Sequence, residues 1–340
     1  MAEAFLGLSA KDRLDALGVA ADRLGRPAHL LEKDVWVVWA IQQLFGSPIG
    51  TNLVFKGGTS LSKAYHVIDR FSEDVDLTFD IRALIPDFLE GREDAMPATS
   101  SEERRWSKRV RQVLPGWVAG TIQPILQQAI ERDGIDASLR LDGDKLFIDY
   151  PHLAHGTGYV SPSVMLEFGA RSTGEPASPR DVVCDAEGTV EGLEFPTARP
   201  RVMHAERTFW EKATAIHVFC LQNRMRGNRF SRHWHDVARL DHAGIVAAAI
   251  EDRALGAAVA RHKTMFFAEK ASDATRIDYV AATSGYLELV PSGDALDVLA
   301  DDYRRMIEDG LLATAPEPFT DLMDRCADIA RRANAAPISA

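Results

Sequence analysis

The stretch from Val54 to Phe79 constrains the fold more than any other part of the chain. It reads Val54-Phe55-Lys56-Gly57-Gly58-Thr59-Ser60-Leu61-Ser62-Lys63 and, after a short spacer, Arg70-Phe71-Ser72-Glu73-Asp74-Val75-Asp76-Leu77-Thr78-Phe79. Leu53 to Phe55 has the apolar character of a short strand. The glycine pair permits a sharp turn with room for a ligand, and Thr59 or Ser60 can cap a helix carrying Leu61, Ala64, Tyr65 and Ile68. Such a turn points free amide groups outward, and an anion such as a phosphate chain suits them.

In a strand from Asp74 to Phe79, the side chains of Asp74 and Asp76 project from one face and those of Val75 and Leu77 from the other. Two adjacent acids stay ionised cheaply only with a cation between them. Hard oxygen donors of this kind suit Mg2+, which completes its shell with water and substrate phosphates. Taken singly, a Gly-Gly-Thr is a turn and an Asp-x-Asp at a strand edge is solvated. Joined as strand, turn, helix and strand, they outline a nucleotide-transfer site.

Composition sets outer limits. At 340 residues the chain has room for two or three closely packed lobes, and 46% hydrophobic with 26% charged residues is ordinary for a globular protein. A net charge of −11 argues against a surface that coats nucleic acid, but leaves room for a local basic groove. Cys184, Cys220 and Cys326 show no Cys-x-x-Cys pairing, so neither a disulfide framework nor a zinc site is expected, and they read as small buried residues. The chain has no apolar run of membrane-spanning length and no basic-flanked apolar leader, so a cytoplasmic location without a membrane partner is expected.

Ser9 can cap a first helix through Leu14, Leu17 and Ala21, and Pro27 can open a second through Leu30, Val35, Val38, Trp39, Ile41 and Leu44. Glu32-Lys33-Asp34 within it reads as a solvated patch. Residues from Pro86 to Ser101 read as a loop or insertion; Glu102 to Asp133 reads as helical, with Pro115-Gly116 interrupting it and Pro124 kinking or restarting it. Arg104, Arg105, Lys108, Arg109 and Arg111 read as a solvated helix face, or as polynucleotide backbone contacts if the loop folds toward the cleft. Ala137 to Leu141 and Lys145 to Tyr150 read as a hairpin about Asp142-Gly143-Asp144.

In the strand Ser163 to Arg171, Glu167 interrupts an apolar run, and a carboxylate inside a buried strand needs a partner. Arg171 is one candidate. The favoured reading makes Glu167 a third acid beside Asp74 and Asp76. Gly174 to Arg201 shows little pattern beyond Val182-Val183-Cys184. His204 to His217 reads as a helix with a buried stripe of Phe209, Ala213, Ile216 and Cys220, and Lys212 at its margin can snorkel. Between Asn223 and His235, Arg224, Arg226, Arg229, Arg232, His233 and His235 alternate with Phe230 and Trp234, which suits a single-stranded acceptor end or a solvated loop alike. His233, His235 and Asp236 lack a metal-ligand spacing. Gly244 to Ala340 reads as helical, chiefly over Ile245 to Phe267, Ala295 to Glu308 and Phe319 to Asn334.

Phe55 to Tyr65 and Arg70 to Leu77 resemble the first motif of the AbiEii/AbiGii-type nucleotidyltransferase toxins, a branch of the DNA polymerase β-like superfamily, with Thr59 in place of the serine form. Leu31 to Val37, Glu206 to Lys212 and Ser231 to Leu240 resemble further motifs of that family, as do His262-Lys263 and Asp302 to Met306 in phrasing. The expected fold is therefore α/β (α+β): a polymerase β-like core with a small mixed sheet, followed by a helical C-terminal lobe. The expected division is 1–50 as N-terminal helices packed on the core, 51–200 as the core with a helical insertion near 86–133, and 201–340 as a helical domain contributing Lys212 and Asp236. The resemblance implies Mg2+ on Asp74, Asp76 and Glu167, with Lys56, Gly57, Gly58, Thr59, Ser60, Lys63, Ser72 and Arg232 binding nucleotide. It also implies that Lys212 reaches the triphosphate, that Asp236 is catalytic and that Glu206 assists. The implied activity is transfer of a nucleoside monophosphate from an NTP to an acceptor, the 3′ end of a tRNA, by the toxin of a bacterial toxin–antitoxin or abortive-infection system with a separately encoded antitoxin. Two other readings stay open: adenylylation of a protein, and a nucleotide-binding module without turnover.

Overall fold

The structure is a computed structural model that describes residues 2–89, 91–154, 161–223, 229–308, 312 and 315–335. It divides into two compact units, one of residues 1–64, 71–95 and 105–203 and the other of 65–70, 96–104 and 204–340.

In the first unit the Ser9 hydroxyl accepts from the Asp12 amide and starts α1 (Ala10–Leu24), which stops at Gly25 in the left-handed region. Pro27 precedes α2 (Ala28–Phe45). This helix is enclosed nearly all round, and the expected solvated patch is not solvated: Glu32, Lys33 and Asp34 are 4%, 2% and 4% exposed. Burial is tolerated because each charge has partners. The Lys33 ammonium donates to Glu73 at 2.9 Å and to the Ser161 carbonyl at 3.0 Å. Glu32 accepts from the amides of Leu153 and Ala154. Asp34 meets the Lys63 ammonium at 2.7 Å and the Asp185 amide at 2.6 Å.

A seven-stranded mixed sheet forms the centre of this unit. Its strands are β1 (Leu53–Lys56), β2 (Asp74–Phe79), β3 (Ser138–Asp142), β4 (Lys145–Asp149), β5 (Ser163–Gly169), β6 (Ala177–Pro179) and β7 (Arg201–Met203), in the order β3-β4-β5-β2-β1-β7-β6. The pairs β2–β5 and β1–β7 are parallel, and the others are antiparallel. Gly143 turns the β3–β4 hairpin at φ +63. The segment that reads as irregular, 174–201, supplies β6 and leads into β7, which extend the sheet past β1; strands this short show no periodicity in sequence.

Between β1 and β2 lies α3 (Gly57–Lys63). Strand alternation gives the sheet an apolar face of Val75, Leu77, Leu146, Leu166 and Phe168, all buried, each such side chain contributing about 2 kcal/mol. Trp117 covers it, with ring centroids 4.1 Å from Phe79 and 5.9 Å from Phe168. Trp117 ends α4 (Ser100–Trp117), which runs through Pro115-Gly116 where an interruption is expected. The ladder instead widens into a π turn over Val118–Ile122 before α5 (Gln123–Asp133). Such a bulge accommodates Pro124, which has no N–H to give and whose ring crowds the preceding turn.

The second unit is helical: α6 (Ala205–Gln222), α7 (Ser231–His242), α8 (Ile245–Glu251), α9 (Arg253–Phe266), α10 (Tyr279–Ser284), α11 (Asp294–Glu308) and α12 (Phe319–Ala335). The helix expected over 245–267 is two, because Asp252 leaves helical geometry and its carboxylate caps α9 at the Leu255 amide. Trp210 donates to the Ala249 carbonyl at 2.9 Å and Trp234 to that of Leu289 at 2.7 Å, so both buried indoles satisfy their N–H. The three cysteines are free. Among the described residues no helix is long and apolar enough to cross a membrane.

Candidate active site

Gly57 follows β1 with φ +79, a region that penalises any side chain. Space enforces the same choice, since a Cβ there would lie 2.0 Å from Asp76 Oδ2. The Asp76 carboxylate is thus packed against bare backbone at the turn. Register places Lys56 opposite Asp76, Asp76 opposite Glu167, and Glu167 opposite Lys145. Cross-strand neighbours share a face, so these four form one charged row across four strands. Asp74 lies one pleat along on the same face, opposite Met165. Lys56, Gly57, Gly58, Ser72, Asp74, Asp76, Lys145 and Glu167 are all half-buried.

Two expectations about Glu167 change. It does not sit inside a buried strand: β5 buries only alternate residues, and the Glu167 side chain keeps 45% of its exposure. Its ion-pair partner is Lys145, at 3.0 Å, rather than Arg171. The Glu167 carboxylate raises the Lys145 ammonium above its ordinary value, with Asp144 and Asp74 adding to the effect.

The hydroxyls and lysine of α3 face inward. Thr59 is 1% exposed; its hydroxyl donates to the Asp74 carbonyl, which leaves the 2.9 Å contact with Ser72 for Ser72 to donate. Ser60 donates to the Gly57 carbonyl at 2.9 Å. Thr59 therefore fastens the turn to β2 while Ser60 closes the turn on itself, and the accessible part of the motif is the backbone of Gly57 and Gly58. Lys63, expected at the nucleotide, is instead enclosed at 5% exposure between Asp34 and Asp185, 2.7 Å from each, with Arg26 also on Asp185. Burial alone would lower the Lys63 ammonium, but the two carboxylates prevail and raise it. Its charge is consumed in holding α3.

In the second unit Asp236 is fully buried on α7. Arg70 grips it through Nε at 2.7 Å and a second guanidinium nitrogen at 2.8 Å, and Lys212 of α6 reaches it at 2.8 Å. Burial alone would raise the Asp236 carboxyl, yet the two cations outweigh that and hold it well below the usual carboxylate range. Beside it His233 is pushed down to about 3 by burial, then by Lys212, Arg70 and Lys263. Asp69 receives His235 at 3.0 Å and Arg239 at 3.7 Å. Sequence reasoning missed Arg70, because an arginine ahead of a strand carries no signal until its carboxylate partner is known. Glu206 and Arg232 are half-buried on α6 and α7. Arg224 and Arg226 lie outside the described residues.

A family model described as "Nucleotidyl transferase AbiEii toxin, Type IV TA system" matches residues 39–325. The chain belongs to the AbiEii family. It is a nucleotidyltransferase toxin of a type IV toxin–antitoxin system, a class that implies a separate antitoxin. Among solved structures it is similar to MenT4, a nucleotidyltransferase toxin from Mycobacterium tuberculosis H37Rv, at 18% identity and TM-score 0.46, covering 97% of this chain and 91% of that one. No curated protein matches it.

For an AbiEii enzyme the donor set matters. Among the described residues no three His, Cys, Asp or Glu side chains are gathered to hold a metal as they stand. Asp74 and Asp76 nevertheless supply hard oxygens on one half-open face, and Glu167 lies next to Asp76 in register, drawn to Lys145. Hard carboxylates with room for water and phosphate fit a divalent cation of the magnesium type.

Proposed function

We propose that this enzyme transfers a nucleoside monophosphate from an NTP to the 3′ hydroxyl of an RNA acceptor of the tRNA class, with Mg2+ as the metal. The observation that carries the reading is the juxtaposition of Asp76 with Glu167 on one side and the bare Gly57 backbone on the other. Asp74 and Asp76, joined by Glu167, would hold the cation, which supplies charge neutralisation for the phosphate oxygens.

The chain's own groups account for the rest. Backbone amides at Gly57 and Gly58, with Lys56 and Ser72 beside them, suit a polyphosphate. The acceptor oxygen attacks the α-phosphorus in line, the new P–O bond forms as the bond to pyrophosphate breaks, and the hydroxyl proton passes to water when Glu167 serves as the third ligand, or to Glu167 when it does not. Lys145, across from Glu167, pairs with that carboxylate at 3.0 Å. Within the second unit, Arg70 and Lys212 about Asp236, with Arg232 on the same helix as Asp236, form a cationic cluster that suits an anionic group. In this role Asp236 acts as an anchor for two cations, since a carboxyl held so far below its usual range takes up no proton near neutrality.

Incubation of the wild type and Asp76→Asn with each radiolabelled NTP, total RNA and cell protein tests the reading. Label should enter RNA with the wild type only and disappear when divalent metal is chelated. Label in protein bands with unlabelled RNA would replace the RNA acceptor by a protein one. Intact nucleotide binding without transfer to either would reduce the site to a binding module.

A further inference from the structure

We infer that the exposed face of α4 is a docking surface for the phosphodiester backbone of the RNA acceptor; the inference rests on the RNA reading above. The buried side of α4 is Trp106, Val110 and Leu114, one turn apart, ending in Trp117 on the sheet. On the outer side Arg105, Lys108, Arg109 and Arg111 are all exposed. At about 100° per residue the four fall within one arc of roughly 160°. Among the described residues none of the four forms an ion pair. Arg109 lies over the Phe88 ring at 5.9 Å, which leaves its charge outward.

Other surface helices of this protein treat their cations differently. Lys11 pairs with Asp15 on α1, Arg304 with Asp301 and Glu308 on α11, and Arg331 and Arg332 with Asp328 on α12. Those are the three- and four-residue spacings that stabilise a helix. On α4 the same spacings set like charges together, Arg105 with Lys108 and Arg109, and Lys108 with Arg111, which destabilises it. In a chain with 50 acids to 39 lysines and arginines, an acid-free strip of this kind has no internal partner that explains it. Evenly spaced phosphates complement it, and release of their counterions drives the association.

Position adds a constraint on the acceptor. Trp117 fixes the end of α4 against Phe79 and Phe168, whereas Asp74, Asp76 and Glu167 project from the opposite face of the same sheet. An RNA with its 3′ end at the acids and its backbone on α4 must pass the sheet edge. A folded RNA can do so, and a trinucleotide cannot.

The test compares the wild type with R105Q/K108Q/R109Q/R111Q and with the corresponding quadruple Glu variant, each checked for native circular dichroism. Binding to full-length tRNA is titrated against salt, and transfer is measured on full-length tRNA and on a trinucleotide. Neutralising the strip should weaken tRNA binding roughly ten- to a hundredfold at low salt and flatten the log–log salt slope by up to about 3, with the Glu variant weaker still. Transfer to the trinucleotide should be unchanged. Unchanged affinity and slope in variants of an enzyme that still labels tRNA would overturn the α4 proposal while the RNA reading stands, and would leave the strip to an acidic protein partner. Equal loss on the trinucleotide would also overturn it, by placing the effect at the active site. A wild type that neither binds nor labels RNA would overturn the RNA reading and this proposal together.

Discussion

Asp34 and Asp76 belong to the same unit, but Asp34 is buried with the Lys63 ammonium 2.7 Å away, while Asp76 stands half-open with a second acid, Glu167, beside it. The buried set around α2 and α3 is internally complete: Lys33 has Glu73, Lys63 has Asp34 and Asp185, and Glu32 has two amides. On the open face Asp76 and Glu167 adjoin, flanked in the same row by Lys56 and Lys145, and a divalent cation would offset the repulsion between the two acids. The difference separates charges that hold the fold from the charges proposed for the chemistry.

Removing a partner from the buried set should cost the most. Lys63→Met leaves the buried Asp34 without its cation, and Asp185 with Arg26 alone, and should lower stability by about 3–5 kcal/mol in urea unfolding. A loss under about 1 kcal/mol would mean that the buried network is not what holds α3. Asp76→Asn should do the reverse, lowering transfer on the order of 10²–10³-fold while stability stays within about 1 kcal/mol of wild type. A stability loss as large as that of Lys63→Met would erase the distinction between the two regions.

Gly57→Ala joins both effects. The left-handed backbone costs about 1–2 kcal/mol, and the new Cβ must displace the Asp76 carboxylate it would otherwise meet at 2.0 Å. Transfer should therefore fall further than stability explains, and full activity at reduced stability would separate the turn from the acid. A pH series extends the contrast to the second unit. His217 accepts from the Glu288 amide and is pushed down to about 4 by burial. Its folded value lies below its unfolded one, so stability is intact above about pH 6.5 and falls by about 1.4 kcal/mol per pH unit toward pH 4. Urea midpoints at pH 7.5, 5.5 and 4.5 check this, and His217→Gln should remove that share of the slope. The smallest effect belongs to Lys145→Met. The pair with Glu167 is solvent-accessible, so stability should change by no more than about 1 kcal/mol. Freed from Lys145, Glu167 should lower the metal concentration needed for transfer; an unchanged metal titration would remove Glu167 from the donor set.

The open face was the legible part of the sequence. Alternation from Asp74 to Phe79 and the glycines after Phe55 state strand and turn locally, and the row Asp76–Glu167 follows once β2 and β5 pair. Glu32-Lys33-Asp34 was not legible, because its partners are Glu73, Leu153, Ala154, Lys63 and Asp185, and nothing local distinguishes a buried ionic run from a solvated one. The same reason hid Lys145 behind Arg171 as the partner of Glu167: a same-strand neighbour is visible in sequence, whereas a cross-strand one depends on register. Lys63 was misread because it adjoins the motif in sequence while α3 turns it inward. Pro115 looked like a stop, but it falls in the last turn of α4, just before the helix widens.

Direct titration of the cation tests the central claim most simply. Mn2+ binding followed by electron paramagnetic resonance, with an unreactive NTP analogue present, should saturate in the wild type and be lost in Asp74→Asn/Asp76→Asn, with Lys63 and Asp34 untouched and the fold intact. Equal Mn2+ uptake by a folded double variant would show that the open carboxylates are not where the metal and nucleotide meet.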